Sequence, residues 1–253
     1  MTAFQTILVE SDADGIATLT LNRPDKHHAM NARMIAELTE AAALLGADAG
    51  VRAVVLASTG PSFCAGGDLE WMRAQQAADR ATKIAEAGRL SRMLAALNVL
   101  PKPLIARVQG NVYGGGVGLL AVSDVAIAAD GIKLALTETR LGLIPATIGP
   151  FVVRRMGEGM ARQMFFTGNA IDTAFALRAG LLHEACPAQE IDARLRRQTQ
   201  AVLKTAPGAV AAAKALCMGL GKDEEIDIDN SIAALADRWE SDEAQERIRA
   251  FLG

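Results

Sequence analysis

The stretch YGGGVGLLAVSD, residues 113–124, constrains the fold of this chain more than any other. Four of the five residues at 114–118 are glycines, and an apolar run follows them directly. Glycine allows backbone conformations and close approaches that a Cβ forbids. Because the strand-like run PLIARV (103–108) precedes the glycines, the segment predicts a strand, a tight loop and a helix with Val117, Leu120 and Ala121 on its apolar face.

Strand-like and helix-like patterns alternate along the first 150 residues, which predicts an α/β fold. The predicted strands are FQTILVES and GIATLTLN, paired as a hairpin around residues 12–15, and then 51–58, 103–108, 124–130 and 133–138. One helix is capped by Asn31 and stops at Gly46, and another ends before Pro101. After about residue 150 no strand is predicted, and helices are expected at 172–180, 189–204, 207–219 and 226–239. We therefore expect a core over residues 1–190 and a C-terminal helical region over 191–253.

Composition argues against several classes of partner. The chain has 253 residues, 51% of them hydrophobic, and a formal net charge of -3. This charge gives no basic field for nucleic acid or an anionic membrane. The longest uncharged run, 108–123, is shorter than the ~18 residues of a membrane helix, and the start lacks a signal-peptide pattern. We expect a cytoplasmic protein.

Cysteine and histidine usage predicts no metal site. Three cysteines, Cys64, Cys186 and Cys217, show no metal-binding or redox spacing, and an odd number suits a reducing compartment. The three histidines are interpreted as ordinary structural or surface residues. The acidic run at 222–230 is interpreted as a solvated loop and helix start.

Two glycine-containing loops share one design. In FCAGGDLEW a strand ends, small residues follow, and Asp68 is a candidate N-cap for the next helix. Helix starts present free N–H groups and favour negative charge, so two such loops could form an oxyanion hole. Two alternatives remain open at this point: tight packing of a helix on a strand, and a dinucleotide fingerprint formed by Gly116, Gly118 and Ala121, with Glu138 as its acid.

Five segments together resemble the enoyl-CoA hydratase/isomerase (crotonase) family. They are NRPDKHHAMN (22–31), FCAGGDL (63–69), VQGNVYGGGVGLLAVSD (108–124), LTETRLGLIPA (136–146) and RAGLLHE (178–184). The resemblance implies a spiral of ββα units with a C-terminal helical region, assembled as homotrimers or dimers of trimers. It also implies an acyl-CoA substrate, with coenzyme A as part of that substrate and no separate cofactor.

The resemblance also implies roles for individual residues. The N–H groups of Gly67 and Gly115 would bind the thioester oxygen. Coenzyme A would be contacted by residues of the N-R-P and A-G-G-D segments, namely Lys26, Ala65, Gly67, Asp68 and Leu69. Cys64 is interpreted as a small apolar residue and not as a nucleophile, because no histidine is near it in sequence.

The acidic residues depart from the two-glutamate pattern of the family. Gly118 stands where the first glutamate would be, and Glu138 occupies the second position. Apolar neighbours should raise the pKa of Glu138 and suit it to proton transfer.

The nearest resemblance within the family is to bacterial methylglutaconyl-CoA and isohexenylglutaconyl-CoA hydratases. Their substrates carry a distal carboxylate, for which Arg140, Arg154 and Arg155 are candidate partners. The alternatives to a hydratase are a double-bond isomerase that uses one glutamate and a non-catalytic acyl-CoA-binding protein.

Overall fold

A computed structural model describes residues 4–219 and 224–253 of the chain. The described strands are β1 (Ile7–Ser11), β2 (Ile16–Leu21), β3 (Ala53–Ser58), β4 (Ser62–Cys64), β5 (Leu104–Val108), β6 (Asn111–Tyr113), β7 (Val125–Ala129), β8 (Leu134–Ala135) and β9 (Glu184–Cys186). The described helices are α1 (Ala32–Ala47), α2 (Leu69–Ala77), α3 (Arg80–Asn98), α4 (Gly115–Val122), α5 (Gly149–Met156), α6 (Glu158–Thr167), α7 (Thr173–Arg178), α8 (Ile191–Leu203), α9 (Pro207–Gly219), α10 (Glu224–Glu240) and α11 (Asp242–Leu252). Short 3-10 helices lie at Pro24–Lys26, Glu138–Leu141 and Ala188–Glu190.

The strands form two sheets. The larger has the order β1-β2-β3-β5-β7-β9, and the smaller has the order β4-β6-β8. The β1–β2 pair is the predicted antiparallel hairpin. The other pairings in both sheets are parallel.

The chain passes from the large sheet to the small sheet three times. β3, β5 and β7 lie in the large sheet, each is followed by β4, β6 or β8 in the small one, and α2, α4 or the 3-10 helix at Glu138 comes next. This repetition confirms the predicted spiral of ββα units. The helices predicted at 189–204, 207–219 and 226–239 correspond to α8, α9 and α10, whereas α11 was not predicted as a separate helix.

The core surrounds α4. This helix packs against β6, α3 and α5, and its residues from Gly116 to Val122 are all buried. The prediction of one apolar face at Val117, Leu120 and Ala121 was therefore too narrow, because the helix is enclosed on every side. β3 is also buried at each of its six positions, as expected of a central parallel strand.

Two strand predictions were wrong. The run 133–138 forms a strand only at Leu134–Ala135, because the chain then enters the 3-10 helix at Glu138, where the Arg140 N–H donates to the Thr137 carbonyl at 3.0 Å. Strands also do not end near residue 150, since β9 pairs with β7. Its three residues are too few for a periodic pattern to reveal.

Helix boundaries shift by one or two residues. α1 continues one residue beyond Gly46, α8 begins at Ile191, and α10 begins at Glu224. Residues 222 and 223 of the predicted acidic loop lie outside the described residues.

The described part of the chain contains no single helix long and apolar enough to cross a membrane, although the bent pair Ala188–Leu203 and Pro207–Met218 passes that test jointly. The same part contains no group of three or more His, Cys, Asp or Glu side chains that could hold a metal ion. Cys64, Cys186 and Cys217 are free thiols.

Candidate active site

Three chain segments meet at one edge of the small sheet. β4, β6 and β8 are parallel with β6 in the centre, so their carboxyl ends lie together. The glycine loop at 65–67 follows β4, the loop at 114–116 follows β6, and Glu138 follows β8. A Cβ built on Gly114 would lie 3.3 Å from Gly66 Cα and 3.6 Å from Glu138 Oε1. The fold therefore brings both predicted loops and the predicted acid into contact.

The first loop is held from one side by Met30. The Met30 N–H donates to the Gly66 carbonyl at 2.7 Å, and the Asp68 N–H donates to the Met30 carbonyl at 2.9 Å. Met30 and Gly67 thus form a parallel bridge, in which Gly67 directs its own N–H away from Met30. Within residues 4–219 and 224–253 the Gly67 N–H donates no hydrogen bond. It is available to a ligand.

The second loop places at the start of α4 an N–H that donates to none of the described residues. Gly114 has φ 49° and ψ −121°, a conformation that residues with a Cβ rarely adopt. Its N–H donates to the Ala135 carbonyl at 3.1 Å, which joins the loop to β8. Gly115 is the first residue of α4, so its N–H has no partner within the helix. A Cβ on Gly115 would lie 3.0 Å from Met30 Sδ, so Met30 contacts both loops.

Gly116 and Gly118 serve packing. A Cβ on Gly116 would lie 2.8 Å from Cys64 Cβ. A Cβ on Gly118 would lie 2.8 Å from Ile148 Cγ2 and 2.9 Å from Leu94 Cδ1. The dinucleotide alternative loses its support, because these two glycines face side chains and not open space. Gly118 also leaves no room for an acid at that position.

The carboxyl group of Glu138 is buried, although the residue as a whole is half-buried. Its Oε2 atom is buried and accepts no hydrogen bond from the described residues. Burial raises the pKa of Glu138 to about 7, although a hydrogen bond from its own N–H opposes the rise. The predicted upward shift of this pKa is therefore confirmed. Near neutral pH both protonation states are populated, which suits a group that both accepts and delivers a proton.

The arrangement can stabilise negative charge that develops on a carbonyl oxygen. The N–H groups of Gly67 and Gly115 come from separate loops that touch through Gly66 and Gly114. Removing one such donor in a comparable site costs about 3–4 kcal/mol of transition-state stabilisation. A titratable carboxyl group lies beside them.

The predicted coenzyme A residues lie around the first loop. Ala65 precedes the paired glycines, and Leu69 is 49% exposed at the start of α2. Lys26 is half-exposed and 3.9 Å from Glu70. The Asp68 carboxylate is engaged elsewhere, since it caps α2 by accepting from Glu70 and Trp71 and pairs with Arg23 at 2.8 Å.

The Cys64 thiol lies beside the glycine loops but is inert. Burial raises its pKa to about 12, although the backbone N–H groups of Gly66 and Gly116 oppose the rise. The thiolate needed for nucleophilic attack is therefore not formed near neutral pH. This agrees with the interpretation of Cys64 as a packing residue.

Two of the three candidate arginines lie away from the glycine loops. Arg155 donates to the carbonyls of Ala121 and Ser123, at the opposite end of α4 from Gly115. Arg154 and Arg155 line a cavity of about 730 Å³ at that end. Arg140, in the 3-10 helix of Glu138, donates to Asn169 Oδ1 at 2.7 Å.

Sequence reasoning missed the segment that supports the first loop. Arg23 donates to the Ala29 carbonyl as well as to Asp68, and Met30 contacts both loops. His28 is fully buried and hydrogen-bonded at both ring nitrogens. The sequence analysis included this segment only through the family resemblance of NRPDKHHAMN, and nothing in a linear pattern indicates that it lies beneath a loop 36 residues away.

Comparison with known proteins gives a consistent family. The enoyl-CoA hydratase/isomerase family matches residues 11–252. The crotonyl-CoA hydratase of Syntrophomonas wolfei is 28% identical over an alignment of 256 positions, which covers 99% of this chain and 96% of that protein.

Solved structures agree with this match. The structure of Pseudomonas aeruginosa AtuE is 37% identical, has a TM-score of 0.83 and covers 98% of this chain and 96% of its own. An enoyl-CoA hydratase from Shewanella pealeana is 33% identical with a TM-score of 0.83, covering 98% of this chain and 93% of its own. A structure from Bacillus halodurans, 24% identical with a TM-score of 0.90, matches in fold.

Proposed function

The chain belongs to the enoyl-CoA hydratase/isomerase family, and from this premise we propose that it adds water across the 2,3 double bond of an enoyl-CoA thioester. One observation carries the proposal: Glu138, an acid with a raised pKa and an unpartnered buried oxygen, adjoins two glycine loops that present free N–H groups.

The reaction follows from these groups. Addition at C3 moves the double-bond electrons toward the thioester and places negative charge on its oxygen. The N–H groups of Gly67 and Gly115 stabilise that charge. Ionised Glu138 holds a water molecule, takes one proton as the oxygen bonds to C3, and then delivers that proton to C2. The product is a 3-hydroxyacyl-CoA, and the carboxylate is regenerated.

One acid performs both proton steps in this scheme. Ile148 and Leu94 fill the space that a side chain at position 118 would need, so the first glutamate of two-acid hydratases has no counterpart there. One proton is taken from the water as its oxygen bonds to C3, and one proton is added at C2. A single carboxyl group therefore completes the cycle.

For the substrate we propose a branched enoyl-CoA with a distal carboxylate, such as 3-methylglutaconyl-CoA. Support comes from the resemblance of GGGVGL and LTETRLGLIPATIGPFVVRRMG to hydratases of such esters. We also propose a cytoplasmic homotrimer or dimer of trimers that uses no cofactor beyond the coenzyme A of its substrate.

Hydration is tested with Glu138→Gln. Enoyl-CoA esters with and without a distal carboxylate are followed by loss of the conjugated thioester absorbance. We expect the variant to be slower by at least ~100-fold, the usual scale for a lost general acid/base. Glu158→Gln, at an exposed site on α6, should match the wild type. A Glu138→Gln rate within a few-fold of the wild type rules out this mechanism.

The single acid also favours a second candidate, a double-bond isomerase, because moving a proton between C2 and C4 requires only one base. A 3-enoyl-CoA substrate separates the two. An isomerase forms the conjugated thioester and stops, whereas a hydratase without isomerase activity leaves this substrate unchanged. Coenzyme A binding without turnover of any ester would instead indicate a non-catalytic protein.

A further inference from the structure

The segment beneath the first glycine loop contains two consecutive histidines in left-handed conformations. His27 has φ 48° and His28 has φ 56°. Side chains with a Cβ disfavour this region, so other contacts must hold it. A strained backbone conformation of this kind persists only where the surrounding contacts hold it in place.

The ring of His28 supplies those contacts. Nδ1 accepts from the Arg23 N–H at 3.0 Å, and Nε2 is 2.6 Å from the Thr59 carbonyl oxygen. A carbonyl only accepts, so Nε2 carries the proton and Nδ1 does not. The buried ring is therefore neutral and links two chain segments. His27 is exposed, and its ring Nδ1 lies 3.0 Å from the Ser62 hydroxyl oxygen.

The linked segment aligns the first glycine loop. The Ala65 N–H donates to the His27 carbonyl at 2.9 Å, and the Cys64 thiol donates to the His28 carbonyl at 3.2 Å. Two further main-chain bonds join Met30 to Gly66 and Asp68. Gly67 is thus aimed by the backbone of residues 27–30.

We propose that His28 is a positioning residue, whose neutral ring fixes residues 27–30 and thereby aims the Gly67 N–H at the substrate carbonyl. Protonation at Nδ1 turns an acceptor into a donor facing the Arg23 N–H, so that bond is lost and the loop loosens. The proposal rests on the proposed function only where it assigns a thioester oxygen to Gly67.

Burial and the surrounding groups shift the pKa of His28 in opposite directions. Burial lowers its pKa from the ordinary 6.5, and the positive charges of His27 and Arg23 act in the same direction. The hydrogen bond with Thr59 and the charge of Asp25 oppose this. Cys64, the titratable group that faces it from β4, stays a neutral thiol, and Asp68 is paired with Arg23. Loosening is therefore expected only below about pH 6.5.

The test removes the titration of Glu138 first. In a Glu138→Gln parent, amide hydrogen exchange of Ala65 and Asp68 is measured from pH 7.5 to 5 and corrected for intrinsic rates. We expect protection to fall on the order of tenfold in acid. His28→Asn keeps an acceptor near Nδ1, tolerates a left-handed backbone and does not titrate, so its protection should not change with pH. His27→Asn is the matched control and should still lose protection in acid, because it keeps the His28 ring.

A bound probe reports on Gly67 itself. A para-dialkylamino cinnamoyl-CoA absorbs at longer wavelength when its carbonyl is polarised, and this shift should decrease in acid for the parent and the His27→Asn variant but not for the His28→Asn variant. Circular dichroism checks that each variant is folded. If the His28→Asn variant does not fold, His28→Gln, which keeps a donor for the Thr59 carbonyl, takes its place. Protection that is independent of pH in the parent, or equally dependent in the His28→Asn variant, overturns the proposal. Absence of any probe shift at pH 7.5 contradicts the proposed function and leaves the exchange test intact.

Discussion

The glycines at 114–118 serve different physical ends. Gly114 has a conformation that a Cβ disfavours, and Gly115 supplies a free N–H at a helix start. Gly116 and Gly118 allow α4 to pack against Cys64, Ile148 and Leu94. The glycines of this segment therefore serve both ligand approach and tight packing, at different positions.

Packing at Gly118 gives a first prediction. Because a Cβ there would approach Ile148 and Leu94 within 2.9 Å, Gly118→Ala should destabilise the fold by about 1–3 kcal/mol through overpacking. Urea unfolding measures the loss. Gly159→Ala is the control, since Gly159 also lies in a helix and has nothing within 4 Å of its Cβ position. Equal stability of the Gly118→Ala variant and the wild type would show that the space at position 118 is open.

The raised pKa of Glu138 gives a second prediction, which concerns the pH dependence of stability. Its pKa is about 7 in the fold against 4.5 for an ordinary glutamate, so the folded state holds the proton more tightly. Stability is therefore lost as pH rises from 4.5 through 7, in total by about 3 kcal/mol. The Glu138→Gln variant, which cannot ionise at this position, should be more stable than the wild type at pH 8.5. At pH 5.5 this advantage over the wild type should be much smaller. A difference that does not grow with pH would contradict the burial of this carboxyl group.

At the scale of elements, Asp68 joins a helix start to the candidate active site. Burial alone would raise the pKa of Asp68, but hydrogen bonds from Arg23, Trp71 and Glu70 lower it below its usual range. The same carboxylate caps α2 and fixes Arg23, whose side chain also holds the Ala29 carbonyl. One side chain therefore connects α2, the first glycine loop and the segment beneath it.

The Asp68→Ala substitution should therefore lower the free energy of unfolding by more than the loss of an ordinary helix cap does. Asp172→Ala removes only the cap of α7, where the carboxylate accepts from Phe175, and should cost about 1 kcal/mol. Asp68→Ala also leaves the largely buried Arg23 unpaired, so we expect about 2–3 kcal/mol in total. Thermal unfolding with calorimetry compares the two, and kcat should fall only in the Asp68→Ala variant. Equal losses would mean that the Arg23 pair adds nothing.

Elements whose signals are local could be predicted from the sequence, and those fixed by distant contacts could not. The caps Asn31 and Asp68 and the β1–β2 hairpin were predicted correctly, because each depends on a few adjacent residues. The 3-10 helix of Glu138 packs on α6 and α11, and the role of His28 depends on Thr59 and Cys64. The pairing of both glycine loops required the family resemblance, since neither loop alone indicates its partner.

For the whole molecule, the C-terminal helices complete the surroundings of the site. α10 packs on α3 and α5, and α11 packs on α2 and on the 3-10 helix of Glu138. The Leu252 carbonyl accepts from Arg73 of α2 at 2.9 Å. Apolar side chains of α10 and α11 are buried in this contact, namely Ile228, Ile232, Leu235, Ala236, Trp239, Ala244 and Ile248. Burial of apolar surface, and not charge pairing, is therefore expected to hold these helices in place.

Trp239 tests this expectation. It is 5% exposed on α10, and Trp239→Ala should cost about 3–5 kcal/mol. The loss should appear as faster hydrogen exchange in α10 and α11 at concentrations of urea that leave the sheets protected. Because α11 contacts α2 and the Glu138 helix, hydration should slow as well. Arg80→Met removes the exposed pairs with Asp237 and Glu240 in the same contact and should change exchange little, since surface ion pairs contribute weakly. If the Arg80→Met variant loosens α10 as much as the Trp239→Ala variant does, charge and not apolar burial fixes these helices over the site.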